Sequence, residues 1–409
     1  MRLIRWSWAP FDISGIQRKN YYYVQIDAIA IGLASAASPF LPVFLTRLGA
    51  TNLQVGLLTA MPGVTGLFLA VFIGQFLQNR RNIVPWFSIS RLLVVSAYAA
   101  TGLAPFLVAE EYLVFTILAI WAVATIPQTA LAVCFSVVMN AVAGPTHRYD
   151  LMSRRWSILG LTNAVTVVLV GQLLELMNFP INYQLVFVSL SVGGLISFLY
   201  SSRIELPDSE SPVNNPQQSF IQKVKSYTTH IWSHQDFVNF SSKRFIYQFG
   251  MLLATPLFPL YFVREVNASD AWIGYITTAQ TAVLLVGYYF WPRQSRKRGS
   301  RFVLLATTFG LSLYPALVSF TSHVQVIVVL AGLAGIFQAG IDLVFFDELM
   351  KTVPIDHSAT FVSFAQSLNY LAAVIAPIVG TLLATYLGLS WALIISSIIR
   401  LIGFFLFRF

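Results

Sequence analysis

Few side chains in this chain could do chemistry. Its 409 residues include 16 Asp and Glu, 25 Lys and Arg, five His and one Cys. Two of the carboxylates, Asp27 and Asp342, stand inside long apolar runs. A carboxyl in such surroundings is a functional candidate, because it must either hold a proton or meet a cation. Asp342 lies about five residues, roughly 7 Å, past the centre of its run and one helical turn from Gln338. That place suits a proton carrier or the partner of a cationic solute. Asp27 sits six residues, about 9 Å, into the first run. The lone Cys134 is itself in an apolar run, so no internal disulfide, thiol-redox motif or metal motif can be built on it. No Gly-rich phosphate loop ending in Lys-Ser/Thr occurs, which argues against direct use of ATP. No enzyme, cofactor or metal is expected from this inventory.

The elements that carry these residues follow from composition. The chain is 57% hydrophobic and 10% charged, with a mean hydropathy of +0.72, against about half apolar and a quarter charged in soluble domains. A helix crosses the bilayer core with about 20 mostly apolar residues. On that rule the chain predicts an all-α integral membrane protein of twelve transmembrane helices. Six run over Tyr21–Thr46, Leu53–Leu77, Ile83–Leu107, Tyr112–Ala141, Trp156–Met177 and Ile181–Ser202. Six more run over Asn239–Val263, Ala271–Pro292, Phe302–Thr321, Val324–Leu349, Phe361–Tyr386 and Ser390–Phe407.

The net charge of +9 is read as topology, not as a nucleic-acid footprint, because its basic residues cluster between apolar runs. With both termini cytoplasmic, 22 of the 25 Lys and Arg fall on the cytoplasmic side, the exceptions being Arg47, Arg264 and Arg91. The expected location is the cell (inner) membrane, and the first twenty residues lack the apolar core of a signal peptide. The expected organisation is a cytoplasmic N-terminal segment (1–20), a six-helix half (21–202), a cytoplasmic linker (203–238) and a second six-helix half (239–409). The linker carries Pro207, Pro212 and Pro216. Its second half, with Phe220, Ile221, Val224, Tyr227 and Ile231 at helical spacing, reads either as a surface-lying amphipathic helix or as a loop helix packed on the bundle.

The two halves repeat. Ala50–Thr59 recurs as Ala268–Thr277, a shift of 218 that also pairs Phe40 with Phe258, Phe44 with Phe262 and Arg80 with Arg298. Further along, a shift of 209 pairs Pro145 with Pro354 and Gly171 with Gly380. Asn52 and Asp270 read as N-caps of the second and eighth helices, Gly56 and Gly274 as points of close helix approach, and Pro145 and Pro354 as ends of the fourth and tenth helices.

Twelve helices in two parallel halves, a long central loop and basic loops after helices two and eight resemble the major facilitator superfamily of secondary transporters. The superfamily's loop motif is echoed by Gly74, Arg80 and Arg81, with Gln78 at its acidic position. In the second half the stretch from Pro292 to Arg301 keeps Gly299 and has Arg296 at that position. The resemblance implies that helices one, four, seven and ten line a central cavity. Their polar stripes are Asp27, Ala34 and Ser38; Trp121, Thr125, Gln128 and Phe135; Arg244, Gln248, Met251 and Thr255; and Gln338, Asp342 and Phe345. The antiporters' Gly-Pro pattern in helix five is absent, and Thr125 stands near the depth of their helix-four Arg.

The repeat places Arg244 one position from Asp27 in register. Two readings stay open: an ion pair closing the cytoplasmic end, or a solvated Asp27 and an Arg244 that begins its helix. Arg91 is expected to snorkel or to brace a neighbouring helix, and Asp347 and Glu348 to be solvated beside Lys351. Without another cation at mid-depth, phosphates and multiply charged anions are disfavoured. The function expected is a monomeric secondary transporter of a small neutral, cationic or lipophilic solute, coupled to protons, with export favoured. The competing class is a membrane protein that keeps this fold for binding or assembly without transport.

Overall fold

The computed structural model describes residues 15–78, 80, 82–206, 232–353 and 358–408, and the expected amphipathic linker helix at 220–231 lies outside them. Among the described residues there are thirteen helices and no strand. They are α1 (Gly15–Ser35), α2 (Phe40–Arg47), α3 (Asn52–Gln78), α4 (Val84–Leu107), α5 (Glu110–Leu176), α6 (Ile181–Ser201), α7 (Gln235–Ala254), α8 (Leu257–Arg264), α9 (Asp270–Arg298), α10 (Ser300–Ser319), α11 (Val324–Thr352), α12 (Ser358–Leu387) and α13 (Leu389–Arg408).

Eleven membrane-length apolar spans lie among the described residues, so this is a multi-pass membrane protein. The twelfth expected span lies in α9, where Trp272, Tyr275, Gln280 and Tyr288 dilute the apolar content. The expected first and seventh helices are each broken. Helices α2 and α8 start afresh after Pro39 and Pro256, which stand at their N-caps. Proline fits a helix start because it has no N–H to leave unpaired.

The fourth and fifth helices, expected as separate elements around Pro145, have continuous helical backbone over Glu110–Leu176. Phe135 and Trp156 nevertheless have ring centroids 6.3 Å apart, where a straight helix would hold them about 30 Å apart. The chain therefore doubles back between them, with Pro145 inside the reversal, and two spans, Glu110–Ala143 and Arg154–Leu176, result.

Close packing divides the chain into two compact units. The first ends at Ser38 and resumes over Phe68–Pro212; the second takes Pro39–Leu67 and Val213–Phe409. In the first unit α6 meets α1 through Gly193, where a Cβ would come within 2.5 Å of the Ala30 carbonyl. In the second, α11 meets α9 through Gly335, where a Cβ would overlap the Gln280 carbonyl. Small residues at such crossings give membrane helices the dispersion contacts that hold them together.

Candidate functional site

Asp342 lies on α11 in the second unit. Its Oδ1 accepts from the Gln338 side-chain amide at 2.8 Å, one turn back on the same helix, and its Oδ2 accepts from the Tyr288 hydroxyl of α9 at 2.9 Å. Two neutral donors thus hold the carboxylate, and no ion pair reaches it among the described residues. The side chain is exposed. Leu333, nine residues earlier and also exposed, lies about 180° round the helix. Asp342 is therefore exposed on the opposite side of the helix from Leu333, beside the exposed Phe346 one turn on. Gly335 permits the close approach of α9 to α11. Tyr288 had no signal in the sequence, since helix register across a contact is not written in spacing.

The stripe on α7 is also open. Its opposite face is buried: Tyr247 packs on Gly403, and Gly250 on Arg400, both of α13. Arg244, Gln248 and Met251 are half-buried and Thr255 is exposed, its hydroxyl donating to the Met251 carbonyl at 3.3 Å. Because α7 begins at Gln235, Arg244 stands nine residues, about 13 Å, inside it. It does not begin its helix. Its guanidinium lies over the Phe345 ring at 5.6 Å.

In the first unit Asp27 is 1% exposed and meets cations of its own unit, which replaces both expected readings of its partner. Arg91 Nε is 3.7 Å from Oδ1 and an Arg155 terminal nitrogen is 3.5 Å from Oδ2. The Ser197 hydroxyl donates to Oδ1. Arg91 does not snorkel: it is 4% exposed and lies over Phe87 at 4.7 Å, while Arg155 lies over Phe135 at 4.6 Å. Arg155 and Arg400, counted as cytoplasmic in the charge tally, are 2% and 3% exposed inside their units. Arg400 donates to the carbonyls of Leu311 and Met251. The apolar neighbours of these arginines concealed them no better than their nearness to helix ends, which made them look like loop charges.

Trp121 is committed to structure: its indole N–H donates to Thr101 at 3.1 Å and its ring meets Tyr98 edge-on at 4.8 Å. Thr125 is buried and donates to the Ala122 carbonyl, while Gln128 and Ser38 are exposed. Of the loop residues, Arg80 lies over the Phe76 ring at 4.3 Å, Gly74 is within α3, and Arg81 lies outside the described residues. Gly299 has φ +85° and joins α9 to α10, a conformation that favours glycine. Lys351 bridges Asp347 and Glu348, each at 2.8 Å, and these side chains are solvated as expected, Glu348 least so.

Sequence reasoning missed a reciprocal clasp in the second unit. Arg47, at the end of α2, donates to Asp270 Oδ1 and to the Ala268 carbonyl. Arg264, at the end of α8, donates to Asn52 Oδ1 and to the Ala50 carbonyl. Each arginine thus takes the repeat counterparts of the other's acceptors. The caps are set back by one residue from where the sequence put them. Thr51 caps α3, exchanging hydrogen bonds with Gln54, and Ser269 precedes α9, while Asn52 and Asp270 accept from the two arginines instead. Pro39 and Pro256, like Arg47 and Arg264, are offset by 217, so the Phe40–Phe258 pairing is out by one. The extra residue falls before Gly49 and Asn267, which both have positive φ, +83° and +53°. The signal was available: the strings from Ser38 to Pro42 and from Thr255 to Pro259 share a Ser/Thr-Pro start and a closing Pro at that shift.

Comparison with known proteins gives concordant results. Residues 240–409 match the family described as the Major Facilitator Superfamily. Over 161 residues the chain is 24% identical to the "Multidrug resistance protein MdtG" of Proteus mirabilis (strain HI4320), covering 38% of this chain and 39% of that protein. The match thus spans well under half of the curated relative. A mutant form of the nucleoside transporter NupG superposes with a TM-score of 0.72 at 11% identity, covering 95% of this chain and 98% of that one. A bacterial homolog of the human lysosomal transporter Spinster, in an inward-facing and unoccupied conformation, superposes with a TM-score of 0.71 at 13% identity, covering 97% and 98%.

Proposed function

We propose that this chain, whose residues 240–409 match the Major Facilitator Superfamily and whose fold resembles those of the solved transporters, is a member of that superfamily and works as a secondary transporter. It moves a small amphipathic solute by alternating access, with Asp342 as the group that takes up and gives back a proton. One observation carries this reading: a carboxylate in a membrane helix, exposed and held by Tyr288 and Gln338, with no cation paired to it among the described residues. Such a group is expensive in a membrane unless it serves a pathway or a relay. Its two donors keep it in place whether or not it carries the proton, since either oxygen can accept while the other is protonated.

The buried Asp27 cluster has a different part. Two arginines and one carboxylate, closed off from solvent, tie α1, α4 and α5 into one rigid piece. The Arg47 and Arg264 clasp has the reversible part. It fastens segment 39–67 within the second unit through a partly exposed Arg47 and a buried Asp270, and it is the contact that opens when access alternates.

The test is counterflow in proteoliposomes of the purified protein, with a panel of cationic, neutral and monoanionic fluorescent amphipaths. Saturable exchange of at least one is expected. No exchange of any, together with a stably co-purifying protein or pigment, would replace transport by a binding or assembly role.

A further inference from the structure

Three arginines are buried inside the described membrane helices and a fourth, Arg244, is half-buried there; the three buried ones are provided for. Arg91 and Arg155 share Asp27, and Arg400 has two backbone carbonyls. Arg244 has neither a carboxylate nor a carbonyl among the described residues; its one close partner is the face of Phe345, and its Nε is buried without a hydrogen bond. A cation in a membrane is retained where something compensates it. The surroundings of Arg244 show what that is.

Arg244 borders a small open pocket between α7 and α12, lined by Ser241, Arg244, Phe245, Gln248, Ala365 and Leu368. Ser241 is 5% exposed, and its hydroxyl also lacks a hydrogen-bond partner. Ser241, Arg244, Phe245 and Gln248 fall at i, i+3, i+4 and i+7, which is one face of a helix. The pocket therefore presents a guanidinium, a hydroxyl and an amide on one wall, with Phe245, Ala365 and Leu368 as apolar walls. One cation with two neutral donors compensates one negative charge; a dianion would bury a second charge uncompensated. The planar guanidinium fork matches the two oxygens of a carboxylate.

We propose that this pocket binds the carboxylate end of a monoanionic amphipathic solute, with the apolar body against Phe245 and Leu368. The proposal rests on the transport reading for its physiological sense, and it narrows the substrate class of that same protein. It also reverses the preference for neutral or cationic solutes, which depended on placing Arg244 at a helix start.

The test uses the full chain in lipid nanodiscs, with 1-naphthoate and its neutral isostere 1-naphthamide as probes and calorimetric binding as the readout. Wild type is expected to bind the carboxylate about tenfold or more tightly than the amide, as a charge-assisted contact implies. In Arg244→Gln the preference falls to within about twofold, and in Arg244→Lys part of it returns. Ser241→Ala and Gln248→Leu, which leave the buried cation in place, weaken naphthoate by about three- to tenfold each with little change for naphthamide. These two carry the test if Arg244→Gln fails to fold. Equal binding of the two probes in wild type overturns the proposal, as does a preference unchanged in all of these variants. Binding is read without flux, so the two readings fail separately. A carboxylate preference in a protein that exchanges no solute leaves the pocket and removes transport. Exchange without the preference leaves transport and removes the pocket.

Discussion

Arg47 donates through both Nε and a terminal nitrogen to a single oxygen of Asp270, at 3.2 and 2.9 Å, and the two residues lie 223 positions apart. With its counterpart from Arg264 to Asn52, the contact makes the second unit partly out of first-repeat sequence. Loop charges that would otherwise read as topology signals become the fastening of segment 39–67.

The pair should be energetically coupled. Arg47 is 29% exposed and Asp270 only 9% by side chain, so the contact is partly screened and worth about 1 kcal/mol. A double-mutant cycle of Arg47→Gln and Asp270→Asn, read by thermal unfolding in detergent, is expected to show coupling of about that size. Strict additivity would mean that the clasp holds nothing.

Asp27→Asn is expected to cost about 3–5 kcal/mol, because it strands two buried arginines without their anion. The loss should show as a lower melting temperature and lower yield. Adding Arg155→Met to Asp27→Asn should recover part of the loss, since one uncompensated charge is then removed. A cycle between Asp27→Asn and Arg244→Gln should be additive, in contrast to one between Asp27→Asn and Arg155→Met.

Gly335→Val forces α9 away from α11, because the first atom of any side chain there would overlap the Gln280 carbonyl. Destabilisation of a few kcal/mol is expected. The same shift separates Tyr288 from Asp342, so coupling to protons should suffer more than in Tyr288→Phe, which removes only one donor. Measuring proton uptake with solute exchange in both variants decides it: equal behaviour of the two would show that helix approach does not position Tyr288.

How much of this was readable in the chain differs by element. Apolar runs gave the spanning segments, since length and hydropathy are local properties. The breaks after Ser38 and Thr255 were equally local, but proline in a membrane helix does not say by itself whether it starts, kinks or merely bends the helix. Asp342 was legible as a carboxylate far from its helix ends. Its partner Tyr288 was not, because which faces of two helices meet depends on packing. Arg155 and Arg400 were misread for the related reason that one charge near the end of an apolar run looks the same whether it points to water or inward. Arg244 changed meaning when α7 proved to begin at Gln235, several residues before the apolar run that marked it.

The central claim is that Asp342 couples solute movement to protons. It is tested most directly by imposing a pH gradient across proteoliposomes and following accumulation of whichever amphipath wild type exchanges, in wild type and in Asp342→Asn. Gradient-driven accumulation in wild type, lost in Asp342→Asn while gradient-independent exchange persists, is the result this account predicts. Accumulation that follows the gradient equally well in Asp342→Asn would contradict it.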